Sequence, residues 1–216
     1  MTLTDDPRQI LITAAQRSVA MGLNRGTVGN FSLRHGAGML ITPTGILPEA
    51  ITPDQIVEMD LQGNWQGDWR PSSEWEIHAK IYAARPDAGA VVHTHSDHAT
   101  ALSALRKPIP PFHYMICGFG GNEIPCAEYA CFGTPELSAT VIAALGDTYG
   151  ACLMANHGVV TLGATMEAAL GRGERLEMLA KQYLLASSAG TPVLLNEEEL
   201  RFAHIRYRSY GQQACG

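Results

Sequence analysis

Apolar positions at Ile10, Ala14 and Ala15 share one helical face, and Asp6-Pro7 ahead of them supplies an N-cap and a first-turn proline. This predicts a helix running to Gly22. The period shifts to two where Phe31 and Leu33 alternate with Ser32 and Arg34, and Gly36 and Gly38 then turn the chain into Met39-Leu40-Ile41, as in a hairpin. Ser73 and Glu76 stand at capping-box spacing, so Pro71–Glu76 is expected to open a second helix. A small apolar run from Ala88 to Val92 leads into His93-Thr94-His95, the pattern of a buried strand that ends on two histidines, and Ser96-Asp97 starts another helix. Thr134-Pro135-Glu136 caps a helix to Leu145, and Cys152–Met154 and Val159–Thr161 read as strands around an Asn156-His157-Gly158 turn. A long helix fills Thr165 to about Ser187, and Asn196–Glu199 caps a last one ending near Gly211. Several strands come in hairpins rather than alternating with helices, so the expected fold is an α/β one with a central, largely antiparallel sheet flanked by helices.

Length and composition narrow this further. The 216 residues suffice for one sizeable core, and one domain over residues 1–216 is expected, with no repeat, low-complexity tract or linker. With 46% hydrophobic and 17% charged residues the chain is globular, and its formal charge of −6 argues against nucleic acid or an anionic membrane as partner. No apolar stretch reaches bilayer-spanning length, and Met1–Asp6 lacks the basic and apolar regions of a signal peptide. The five cysteines form no Cys-x-x-Cys pair, which argues for reduced thiols in the cytoplasm rather than a disulfide framework or zinc ribbon.

The candidate chemistry sits where the buried strand ends. His93 and His95 are two apart, so they leave a strand on the same side, roughly 7 Å from each other, and imidazoles so placed can grip one borderline metal ion. The alternative is a polar pair on a solvated edge strand, against which the apolar run before them argues. His157, beside Gly158 at a hairpin tip, is the candidate third ligand, with an exposed turn histidine as its alternative. Glu74, near a helix start, is the natural fourth, although a carboxylate there also suits the helix dipole alone. His98 competes from the next helix, and His35, His78, His113 and His204 stand in no comparable arrangement. Separately, Thr27–Asn30, Thr42–Gly45 and Ser72-Ser73 are rich in hydroxyls and open backbone N–H groups. Each reads as an ordinary turn by itself; together they have what an anion pocket needs. No Walker loop or Rossmann fingerprint is present.

Taken in order, Gly26–Arg34, Thr42–Gly45, Pro71–Glu74, His93-Thr94-His95, His113–Ile116, Phe132-Gly133-Thr134 and Asn156-His157-Gly158 resemble the class II aldolase/adducin family from about Arg8 to Gly211, and most closely its L-fuculose-1-phosphate aldolase branch. The resemblance implies a homotetramer with active sites between subunits. It implies one Zn2+ per subunit on His93, His95 and His157, with Glu74 as ligand in the resting enzyme. It further implies phosphate binding by Gly29, Asn30, Thr44, Gly45, Ser72 and Ser73.

The implied reaction cleaves a ketose 1-phosphate, such as L-fuculose 1-phosphate, to dihydroxyacetone phosphate and a short aldehyde, here L-lactaldehyde. Charge on the enediolate is stabilised by a Lewis-acid metal or by a lysine Schiff base. Of the lysines Lys80, Lys107 and Lys181, two fall on predicted amphipathic helices, which favours the metal. Glu74 then serves as general acid/base at the enediolate carbon, and Tyr114, reaching in from a neighbouring subunit in the family, exchanges a proton at the aldehyde end. Phe132 and Tyr210 match positions that frame that end. Aldolases of 5-methylthioribulose 1-phosphate and 5-deoxyribulose 1-phosphate share this pattern, as do pentulose-phosphate 4-epimerases and methylthioribulose-1-phosphate dehydratases. Glu74, His113-Tyr114-Met115 and Tyr210 favour an aldolase, and an adducin-like assembly domain would lack the ligands. Asn156 departs from relatives that carry histidine before His157, and the chain stops soon after Tyr210.

Overall fold

The apolar run that leads to the two histidines forms β4 (Ala90–Thr94), buried along its whole length. In the computed structural model, which describes residues 6–208, β4 is the middle of a seven-stranded sheet. On one side of it lies the expected hairpin of β1 (Asn30–His35) and β2 (Gly38–Ile41), extended at the edge by β3 (Val57–Met59). On the other side β7 (Gly158–Gly163) and β6 (Ala151–Met154) make the hairpin around Asn156-His157, and β5 (Cys126–Ala127) closes the far edge. The order is β3-β2-β1-β4-β7-β6-β5, and every pairing is antiparallel except β5 with β6, so the sheet is mixed.

Helices cover both faces, which is why the inner strands read as nearly continuous apolar runs. Against one face lie α1 (Pro7–Ala20) and α5 (Met166–Ala189), where Leu11, Phe31, Leu40, Val92 and Leu170 share a core. Against the other lie α2 (Trp75–Ala84) and α4 (Pro135–Leu145), packed through Ile77, Ile81, Met39, Ile41, Val91, Val141 and Val160. Adjacent residues of one strand, such as Leu40 and Ile41, therefore enter opposite cores, each side chain contributing about 1.5–3 kcal/mol of burial. A third cluster joins α3 (Asp97–Ser103) to α5 through Ala99, Leu102, Leu176 and Leu179. Finally, α6 (Glu197–Arg208) rests on a 3-10 turn at Tyr114–Phe119; the expected end of this helix near Gly211 lies outside the described residues. No helix among the described residues is long and apolar enough to cross a membrane.

Two boundaries differ in ways that matter for the site. The capping box expected from Ser73 and Glu76 does not form. Instead the Ser72 carbonyl accepts from Trp75 N at 3.1 Å and Ser72 Oγ from Glu74 N at 3.3 Å, so a tight turn precedes α2 and Glu74 takes the N-cap position. The central strand also stops at Thr94, because the His95 N–H is diverted to the Asn24 side chain at 2.9 Å.

Candidate metal centre and substrate cleft

Three separate segments deliver four ligand groups to one point. His93 comes from β4 and His95 from the residue just past it, His157 from the tip between β6 and β7, and Glu74 from the N-cap of α2. One ligand atom from each lies within 4.8 Å of all the others. The β4–β7 pairing makes this possible, since Thr94 pairs with Val159 and so brings the hairpin tip beside the strand end. Gly158 permits the approach: a Cβ there would stand 2.5 Å from the Thr94 carbonyl oxygen and 3.3 Å from both His93 Cε1 and His95 Cδ2.

The donor set fits a divalent cation. Glu74 Oε2 is 3.2 Å from His93 Nε2 and Oε1 is 3.1 Å from His157 Nε2. His93 Nδ1 donates to the Val159 carbonyl at 2.9 Å, which turns its Nε2 toward the cluster. There it meets His95 Nε2 at 2.9 Å, a contact between two lone pairs unless a cation or proton intervenes. Glu74 Oε1 is buried and has no hydrogen-bond donor. Three imidazoles and a carboxylate are a common ligand set for zinc and its neighbours. Burial alone would raise the Glu74 carboxyl, but the His93 and His157 imidazoles outweigh it and hold the group far below the usual carboxylate range. Burial, aided by charge on His93 and His157, lowers His95 to about 3. His93 runs the other way: burial favours its neutral form, yet the Glu74 carboxylate raises its pKa above the ordinary 6.5.

Above the cluster opens a cleft of about 490 Å³. Its walls include Gly29, Asn30, Thr44, Gly45, Ser72 and Ser73, so all three hydroxyl- and glycine-rich segments meet there, beside Glu74, His95 and His157. Within the described residues, Gly45 and Ser73 direct their backbone N–H groups at no protein acceptor, and the N-terminal end of α2 points into this wall. Gly29 sits at φ +81°, and a Cβ would fall 2.3 Å from the Asn24 amide nitrogen that backs it. Asn24 in turn receives the His95 N–H, so the hydroxyl- and glycine-rich wall and the histidine cluster share a support. Replacing Gly29 by alanine (G29A) is expected to lower stability by about 1–3 kcal/mol through left-handed strain. A falling urea midpoint at unchanged slope would report it.

The remaining candidates divide. Phe132 lines the cleft mouth and is largely exposed. Tyr114 is half exposed and lies off the cleft, beside Phe202 and Tyr207 of α6. Tyr210 is outside the described residues. His98 does not compete as a ligand, because its Nδ1 is 2.6 Å from Glu177, which also accepts the His98 and Ala99 N–H groups at the start of α3. Asn156, at φ +54°, lines the cleft with its side-chain oxygen held by Arg106 Nε at 2.6 Å. Tyr129, also at the cleft, carries no signal in the sequence beyond its nearness to Phe132. His78 is the larger omission. It is fully buried behind Glu74, and its only trace in the sequence is that it follows Glu74 by four residues, one helical turn.

The chain resembles known proteins over nearly its whole length. Residues 9–184 match the family described as Class II Aldolase and Adducin N-terminal domain. A 5-methylthioribulose-1-phosphate/5-deoxyribulose-1-phosphate aldolase of Rhodospirillum rubrum is 44% identical over 207 residues, covering 96% of this chain and 93% of that protein. The L-fuculose phosphate aldolase of Escherichia coli strain K12 is 45% identical, covering 94% of each. Among solved structures, one titled L-fuculose 1-phosphate aldolase superposes with a TM-score of 0.89 at 38% identity, covering 95% of this chain and 98% of that one.

Proposed function

The chain belongs to the class II aldolase/adducin family and is a metal-dependent aldolase; from that premise we propose that it uses Zn2+ to split a ketose 1-phosphate such as L-fuculose 1-phosphate into dihydroxyacetone phosphate and a short aldehyde. The observation that carries this reading is the convergence of Glu74, His93, His95 and His157 at the floor of a cleft walled by Gly45, Ser72 and Ser73. None of the lysines lines that cleft, which leaves no Schiff-base nucleophile among its walls.

A divalent cation would be held by His93, His95 and His157, with Glu74 as a further ligand in the resting site, and would supply Lewis acidity for negative charge that develops as a carbon–carbon bond breaks. The protein provides the rest. Backbone N–H groups of Gly45 and Ser73, the hydroxyls of Thr44, Ser72 and Ser73 and the close approach at Gly29 hold the phosphate, while Asn30 bridges this wall to Glu74. Once substrate displaces it from the cation, the Glu74 carboxylate, ionised in the resting site, takes up a proton and returns it to the carbon that becomes the hydroxymethyl end of dihydroxyacetone phosphate, and it removes that proton in the reverse direction. Phe132 excludes water at the aldehyde end. Tyr114 completes that end from a neighbouring copy in a cytoplasmic homotetramer, as its half-exposed position away from its own cleft supports, and Tyr210 helps to frame the same end.

A second substrate, 5-methylthioribulose 1-phosphate or its deoxy analogue, is supported by the 44% identical relative named for it. Both substrates present the same phosphate end and differ only in the aldehyde tail. A coupled assay for dihydroxyacetone phosphate on the zinc-loaded protein, run with both in parallel, decides between them by the ratio of kcat/KM. Consumption of either substrate without release of dihydroxyacetone phosphate contradicts the proposed reaction.

Zinc uptake is expected to be pH-dependent in a defined direction. In the metal-free protein the raised pKa of His93 leaves a proton on a ligand that the cation must displace, whereas His95 is already neutral. Calorimetric titrations near pH 6 in buffers of different ionisation enthalpy should report net proton release as the cation binds. Affinity should climb with pH and level off once the raised His93 value is passed. Equal affinity at pH 6 and pH 8 contradicts this.

A further inference from the structure

Behind Glu74 the polar face of β1 is buried against α2, and its side chains form a single hydrogen-bonded ladder. Tyr82 Oη is 2.8 Å from Ser32 Oγ, Ser32 Oγ is 2.6 Å from His78 Nδ1, and His78 Nε2 is 2.6 Å from Asn30 Oδ1. Asn30 Nδ2 then donates to Glu74 Oε2 at 3.0 Å. Ser32 and His78 are 0% exposed, Tyr82 2% and Asn30 4%, so water does not share these bonds. We propose that His78 is a positioning residue for the aldolase reaction, which as its Nε2–H tautomer locks the Asn30 amide so that an N–H, and not a carbonyl, meets the Glu74 carboxylate.

Each link permits one direction only. An ionised carboxylate accepts, so Asn30 must present its nitrogen to Glu74 and its oxygen to His78. That oxygen accepts, so His78 Nε2 carries the proton. A buried neutral imidazole has one N–H, so Nδ1 accepts the Ser32 hydroxyl, and Ser32 in turn accepts the Tyr82 hydroxyl. Flipping the Asn30 amide sets two oxygens against each other at Glu74 and, with His78 as its Nε2–H tautomer, two N–H donors against each other at the His78 end. Burial lowers His78 to about 3, which keeps it neutral and the ladder polarised. The geometry is supplied by two regular elements. Asn30 and Ser32 are alternate residues of β1, while Glu74, His78 and Tyr82 succeed one another at four-residue spacing from the N-cap of α2 through the helix. Asn30 also pairs with His93 across the sheet, so one residue ties ligand strand, carboxylate and cleft wall together.

This inference rests on Glu74 serving as metal ligand and proton carrier, and its test separates the two. Long-range 15N–1H NMR on the zinc-loaded wild-type protein reads the His78 tautomer directly; an Nδ1–H signal overturns the proposal whatever any variant does. Replacing His78 by phenylalanine (H78F) is expected to weaken zinc binding, measured by chelator competition on the metal-free protein, about 10–100-fold. At saturating zinc it should lower kcat by a similar factor with little change in KM. H78Q keeps an N–H at the Nε2 position and should recover most of both. H78F with unaltered zinc affinity and kcat overturns the assignment, as does H78Q matching the defect of H78F at equal thermal stability. A wild-type protein that binds no zinc instead overturns the proposed function.

Discussion

Replacing Glu74 by glutamine (E74Q) is expected to lower kcat by about 10²–10⁴-fold while the protein still folds. Glutamine keeps the shape of the side chain and an oxygen that can still accept from Asn30 Nδ2. What it removes is the charge and the capacity to carry a proton, in a group only 7% exposed. Because proton transfer is made in the transition state rather than in substrate binding, the loss should fall on kcat and kcat/KM together, leaving KM close to wild type. The same change withdraws the carboxylate that raises His93, so zinc uptake by E74Q should release fewer protons than in the wild type. The measurement is the dihydroxyacetone phosphate assay alongside metal content of the same samples. Full zinc occupancy with unchanged kcat would remove Glu74 from the proton-transfer role.

The second large effect is expected from His157→Ala. His157 is the preferable ligand to remove, since its main chain is held independently by N–H bonds to the Met154 carbonyl at 3.0 Å and Ser103 Oγ at 3.3 Å. His93, wholly buried and bonded to Val159, would leave a cavity and confuse loss of metal with loss of fold. Truncating His157 deprives the cation of one ligand and leaves Glu74 Oε1, already without a hydrogen-bond donor, with no partner. Lewis-acid stabilisation of several kcal/mol, at about 1.4 kcal/mol per tenfold, corresponds to a fall in kcat/KM on the order of 10³-fold or more. Chelating the wild-type enzyme should reproduce that loss, and added zinc should reverse it in the wild type but not in H157A. Stoichiometric zinc with wild-type turnover in H157A would contradict the ligand assignment.

Much of this site is legible in the order of residues along the chain. The unbroken apolar run Ala88–Val92 marks a central strand, because only a strand covered on both faces tolerates no polar alternation, and it delivers His93 and His95 to one side. The Asn156-His157-Gly158 turn between two apolar runs marks a hairpin tip, and the glycine there proves necessary for the approach to Thr94. The hydroxyl-rich segments at Thr27–Asn30, Thr42–Gly45 and Ser72-Ser73 are visible as turns with open N–H groups. The family follows from their joint order.

Other features lie beyond local pattern. The short edge strands β3 and β5 carry too few residues for a period to register. The capping box at Ser73 and Glu76 is a correct local signal overridden by the Ser72–Trp75 turn, which swings Glu74 into the N-cap and toward the histidines. The alternation of Phe31 and Leu33 with Asn30, Ser32 and Arg34 tells that β1 has two faces, but not that its polar face is buried as well as its apolar one. That outcome depends on α2 presenting His78 and Tyr82 across the gap to satisfy each hydroxyl and amide, and Arg34 turning its guanidinium to the carbonyls of Tyr82, Arg85 and Ala88. For the same reason His78 reads as one histidine among eight in the sequence and becomes the base of the Glu74 support only when helix and strand are packed. Sequence periodicity therefore determined most of the elements and residue spacing the candidate ligand types, since these depend on neighbours along the chain, while the family was read from the resemblance of its ordered motifs. Tertiary packing alone decided which polar side chains are withdrawn from water, because the free-energy cost of burying them is offset only by partners far away in sequence.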